Sequence, residues 1–160
     1  MTGMRDRWNE ADFDQISWHD CHIWGLRLDA GDPHTDDWTA DLVLDIDYIA
    51  EWICAAGEPP EFQFQVAPAA LTFHGVSNLR IHVEPSHAEA AIHPWSIDAI
   101  EREPVDLQQM FLNRIYYRWQ IRLNWPADSE ITFNAAGFTQ QLKAASVLAT
   151  RQHLTRRRPL

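Results

Sequence analysis

A chain of 160 residues with 46% hydrophobic content is an ordinary globular composition for one domain, which argues against a disordered or multi-core protein. Its formal charge is −10, yet four of the 13 basic residues (Arg151, Arg156, Arg157 and Arg158) crowd the last ten positions. The other 9 face all 23 acidic residues, so positions 1–150 carry −14. A body this acidic repels a phosphate backbone, so no nucleic-acid binding is expected of the folded domain.

Met1–Glu10 lacks the apolar stretch of a signal peptide, and no later run approaches the roughly 18 apolar residues needed to cross a bilayer. Cys21 and Cys54 are the only cysteines and form no CxxC pair, so two small hydrophobes in a reducing compartment are expected rather than a disulfide. The expectation is a cytoplasmic, non-membrane protein. Residues 1–12 read as an N-terminal extension, 13–150 as a single β-rich domain and 151–160 as a basic, solvated tail.

From Trp18 onward the apolar pattern has a period of two. His22, Trp24, Leu26 and Leu28 share one face of a first strand, and Arg27 and Asp29 the other. Over Trp38–Tyr48, Leu42, Leu44, Ile46 and Tyr48 alternate with Asp41, Val43, Asp45 and Asp47. The polar stretch Ala30–Asp37 between them predicts a hairpin loop. Phe62, Phe64 and Val66 continue the pattern, Pro68 marks a break or an edge, and Leu71 and Phe73 resume it. Leu79, Ile81 and Val83 predict another strand. The cleanest alternation is Ile115, Tyr117, Trp119, Ile121, Leu123 and Trp125 against Tyr116, Arg118, Gln120 and Arg122. Ile131, Phe133 and Phe138 predict a last strand with a bulge near Gly137. Glu51–Ala56 suggests a turn, and Asp106–Leu112 and Lys143–Leu154 suggest short helices. The predicted fold is mainly β: an antiparallel sandwich or partly open barrel of seven or eight strands. The 8 Trp supply a large apolar area for its core.

Chemistry-bearing residues concentrate in Ser17–His22. Trp18, His19, Asp20 and His22 form the first candidate binding site, with His19 and His22 as metal ligands. An ideal strand sends His19 and His22 to opposite faces, so a shared metal requires local irregularity. Asp20 shares a face with His22 and is placed to orient its imidazole. Asp41, Asp45 and Asp47 form the second candidate, an acidic strand face with no EF-hand pattern, suited to a basic partner protein. Arg118 and Arg122 would form cross-strand charge pairs if their strand lay beside the acidic one. His74, His82, His87 and His93 are scattered. No GxSxG, GxxxxGK[ST] or GxGxxG occurs, so neither a nucleophile elbow nor a cofactor is expected.

The stretches FDQISWHDCHIWGLRL, DLVLDIDYIAEWI, VAPAALTFHGVSNLRI and ITFNAAGFTQQL resemble an uncharacterised bacterial protein family, over most of Phe13–Leu142. The resemblance implies a bacterial single domain and no particular activity. In composition and architecture the chain is also similar to immunity proteins of bacterial toxin systems. The expected function is a non-enzymatic protein-binding module. Two other readings are a metal-dependent site of His19, Asp20 and His22, joined by His74, and a barrel holding a small apolar ligand among Trp24, Tyr48 and Trp119.

Overall fold

The structure is a computed structural model that describes residues 5–84, 94–105 and 115–155. Among the described residues ten strands form one antiparallel sheet. They are β1 (Arg7–Asn9), β2 (His22–Ala30), β3 (Ala40–Ala55), β4 (Glu61–His74), β5 (Ser77–His82), β6 (Trp95–Val105), β7 (Tyr116–Trp125), β8 (Ser129–Ala135), β9 (Gly137–Leu142) and β10 (Val147–Ala149). Their order is β1-β9-β4-β3-β2-β6-β7-β8-β5, with β10 also paired to β4. The fold is mainly β and antiparallel, a single unclosed sheet of the sandwich or open-barrel kind.

The sheet creases at β2. That strand pairs with β3 from His22 to Ala30 but with β6 only through His22 and Ile23. The two halves on either side of the crease pack face to face. Trp119 of β7 meets Phe73 of β4 edge-on at 5.0 Å between ring centroids, and Phe73 meets Phe133 of β8 at 4.7 Å. Leu42, Leu44 and Ile46 from one half and Trp119 and Ile121 from the other are fully buried, as period-two alternation requires of an inward face. Leu123 is buried with them, whereas Tyr117 is only half-buried against the cluster. Arg102 also points inward, opposite Trp119, where its guanidinium lies 4.2 Å over Phe13 and 4.3 Å over Tyr117 and pairs with Glu10.

Several sequence expectations change. Pro68 lies inside the continuous strand β4, opposite Asp47, and breaks nothing. Its position falls between the stretches of β4 paired with β10 and with β9, where its carbonyl accepts from Lys143 N and its missing N–H vacates no ladder bond. Ile131–Leu142 is two strands rather than one bulged strand. The chain turns at Ala136 and passes from β8 in one half to β9 in the other. At Gly137 an added Cβ would come within 2.9 Å of Glu10 Oε2 and displace that carboxylate. Glu51–Ala55 prolongs β3, and Lys143–Leu154 holds β10 in place of a helix. Residues 7–15, assigned by sequence mainly to an extension, form β1 and a 3-10 turn, Glu10–Gln15, whose Asp12 is buried. The start of the basic tail is ordered against the domain: Gln152 and Leu154 donate to Asp20 and Asp47. The expected helix at Asp106–Leu112, His87, His93 and the arginines 156–158 lie outside the described residues. No helix among the described residues is long and apolar enough to cross a membrane.

Candidate functional site

The turn into β2 does adopt the irregular backbone that a His–Asp site demands. Asp20 sits in the left-handed region at φ 61°, held by its N–H donating to Ile97 O at 2.8 Å. Its carboxylate accepts from Asn124 Nδ2 at 2.5 Å and from Gln152 Nε2 at 2.8 Å. Asp20, His22, Ser96, Asn124, Gln152 and His153 line a recess of about 510 Å³ together with Pro94 and Trp125. The His22 and His153 rings stand 4.8 Å apart, tilted by 57°. Burial lowers the pKa of His22 below its ordinary value, and the neighbouring His153 lowers it further against the opposing pull of Asp20 and Asp47. The recess therefore presents imidazoles beside hydrogen-bonding amides, the Asp20 carboxylate and the Ser96 hydroxyl.

The other half of the predicted pair is elsewhere. His19 stacks on Trp52 at 6.3 Å, and its Nδ1 lies 2.9 Å from the Asp98 carbonyl oxygen. Its Nε2 reaches Asp20 Oδ2 only at 3.6 Å. The two imidazoles do not converge, and no group of three His, Cys, Asp or Glu suited to a metal ion occurs among the described residues. Trp18 is a core residue: it is 3% exposed, packs edge-on to Phe138 and donates to buried Gln140. His74 joins neither histidine. Its Nδ1 lies 3.1 Å from Asp41 Oδ2 and its Nε2 3.0 Å from Thr139 Oγ1. The Thr–His–Asp order is that of a nucleophile, base and orienting acid. All three groups come from adjacent strands, however, and the 510 Å³ recess is lined by other residues. They act as a cross-strand polar ladder.

The acidic face of β3 is not a free surface. Asp47 is fully buried and accepts from Trp24 Nε1 and Leu154 N, both at 2.8 Å. Asp45 is half-buried and pairs with Lys143 at 2.9 Å, while Asp41 is taken up by His74 and the Gly75 N–H. Period-two alternation assigns these positions correctly to the outward face, but β9, β4 and residues 151–155 supply partners that cover it. Arg118 and Arg122 are not beside this strand, because β7 pairs with β6 and β8. The expected apolar ligand cavity is also excluded in the form proposed. Tyr48 and Trp119 belong to the core cluster, whereas Trp24 turns outward to Asp47.

The surface that does stand open is the far end of the β3–β4 ribbon. Beyond Asp47, β3 loses β2 as a neighbour, so Tyr48–Ala55 runs out with β4 alone beside it among the described strands. Trp52 lies opposite Phe64 and Cys54 opposite Phe62, which puts all four on one face, extended by Ala149 of β10. Trp52 is 46% exposed and Phe62 53% exposed. Glu51 and Glu61 project from the opposite face of the same ribbon and Glu58 lies between the two strands, all exposed. The alternation of Phe62 and Phe64 is visible in the sequence, but Trp52 falls in a segment that reads as a turn. Comparison with known proteins gave no match to a family model, a curated protein or a solved structure.

Proposed function

We propose that this protein is a non-enzymatic module that binds a basic partner protein through the far end of the β3–β4 ribbon. One observation carries the reading: Trp52 and Phe62 share an apolar face left in water, at a ribbon end that also bears three exposed glutamates. Exposed apolar area costs about 25 cal/mol per Å², so a contiguous aromatic face on a domain this small favours burial against something else. Exposed aromatic anchors of this kind are enriched at protein interfaces. The net charge of −10, together with the glutamates of the ribbon end, favours a basic partner and speeds encounter with it. Masking a toxin, as immunity proteins do, is one use of such a surface. The exposed thiol of Cys54 fits a reducing, cytoplasmic setting.

A photo-reactive phenylalanine analogue at Phe62 tests the proposal. It should cross-link to a discrete partner in host cells, whereas the same analogue at Arg27 should not. With that partner purified, Trp52→Ser should weaken binding by about tenfold or more, and added salt should weaken it further. Undiminished affinity of a Trp52→Ser, Phe62→Ser double variant would refute the interface.

A further inference from the structure

The half of the sheet formed by β6, β7, β8 and β5 carries its own concavity, well apart in sequence from the ribbon end. Its outward face holds a recess of about 640 Å³ lined by Arg80, Arg118, Asn78, Thr132, Asn134 and Glu103, among others. The register explains why these residues meet. Arg118 of β7 pairs with Asn134 of β8, and Arg80 of β5 pairs with Thr132 of the same strand. The two arginines thus flank β8 from either side, two residues apart along it, with Thr132 and Asn134 between them.

Arginine in an acidic protein normally finds a carboxylate. Arg122, on the same face of β7, does so, lying 3.2 Å from Glu101 and 3.7 Å from Asp98. Arg80 and Arg118 have no ion-pair partner among the described residues, although Glu103 stands directly opposite Arg118 in the ladder. Two guanidinium groups in one recess with no ion pair among the described residues can receive an anion between them, and the planar fork of each matches a phosphate or carboxylate edge. A second recess of about 370 Å³ adjoins the first, sharing Glu103, Arg118 and Thr132 and adding Glu101, Gln120 and Glu130. The groove is therefore bipolar. Its basic end suits an oxyanion, while its carboxylates and amides accept from and donate to hydroxyl groups.

We propose that this groove binds a phosphorylated, hydroxyl-rich small molecule of the sugar-phosphate class. Arg80 and Arg118 hold the phosphate, and Glu103 accepts hydrogen bonds from the hydroxyl groups. The site is separate from the ribbon-end interface and stands or falls without it.

Calorimetric titration of the full chain with ribose 5-phosphate, inorganic phosphate and ribose tests the assignment. Ribose 5-phosphate should bind about tenfold or more tightly than phosphate, and ribose alone should not register. Arg118→Gln and Arg80→Gln should each weaken ribose 5-phosphate by about tenfold, and Arg118→Lys by less, because it keeps charge but loses the fork. Glu103→Gln should narrow the preference for ribose 5-phosphate over phosphate. All three positions are exposed, so an unchanged thermal midpoint establishes that the variants are folded. Absence of ribose 5-phosphate binding, equal affinity for phosphate, or binding that survives the Arg80→Gln, Arg118→Gln double variant would each overturn the proposal.

Discussion

His22 shows how one side chain ties local backbone to pH behaviour. It stands at the start of β2, half-buried, facing His153, with Asp20 and Asp47 nearby. Burial and the second imidazole lower its pKa below the ordinary 6.5, so the fold prefers it neutral. A depressed histidine contributes stability that is fully present above the unfolded value. As pH falls below about 6.5 the unfolded chain takes up the proton first, and stability is lost down to the folded pKa. Chemical denaturation at about pH 7.5 and about pH 5.5 should show wild type losing more stability than His22→Gln over that interval. Parallel profiles would mean that His22 does not feel its surroundings. The cysteines divide on the same physical ground. Burial pushes the Cys21 thiol up to about 12 and makes it inert, while Cys54 is exposed.

At the scale of elements, the C-terminal segment after β10 is held by buried polar groups rather than by a ladder. Asp47 accepts from Leu154 N and from the Trp24 indole, and Asp20 accepts from Gln152. Asp47→Ala removes the acceptor of the Leu154 N–H and of a Trp24 indole bond, and losing such an acceptor costs about 1–3 kcal/mol. The variant should lose stability by about that amount in urea titration. Amide exchange at Leu154 should accelerate well beyond exchange in β7. Retained protection at Leu154 would show that packing alone holds the segment. Residues 151–155 read as a solvated tail because their partners lie more than a hundred positions away. Strand β6 escaped sequence reading for a local reason. Its register shifts at Ser96, Ile97 and Ala99, so buried Ile97 and Ile100 fall three apart and mimic no period-two strand.

For the whole molecule, the contact between the two halves decides stability, and Trp119 is at its centre. It is fully buried, meets Phe13, Phe73 and Phe138, and donates to the Ala135 carbonyl at 3.2 Å. Trp119→Ala should lower unfolding free energy by about 3–5 kcal/mol through lost contacts and an unfilled cavity, as read by urea denaturation. A loss below about 1 kcal/mol would mean that the halves collapse onto the gap.

What the sequence by itself determined was the inward face of β3 and β7, whereas the apolar alternation of β2 marked a face that is outward, with Leu26 and Leu28 exposed. Leu42, Leu44, Ile46, Trp119, Ile121 and Leu123 alternate so strictly with polar residues that only a strand buries them together, and they are buried. Alternation is a nearest-neighbour property, legible without knowing what lies across the core. It also assigned Asp41, Asp45 and Asp47 to the outward face, and it could go no further. Whether an outward face meets water depends on what the chain later lays over it. Lys143, His74 and Leu154 reach those aspartates from elsewhere in the fold. The same limit hid the His22–His153 recess, the Arg80–Arg118 groove and the exposed Trp52. Each is a meeting of residues distant in sequence, or the lack of such a meeting, set by the crease at β2 and by the strand order. Tertiary structure decided these because pairing between distant strands follows from closing the whole sheet, which no local period encodes.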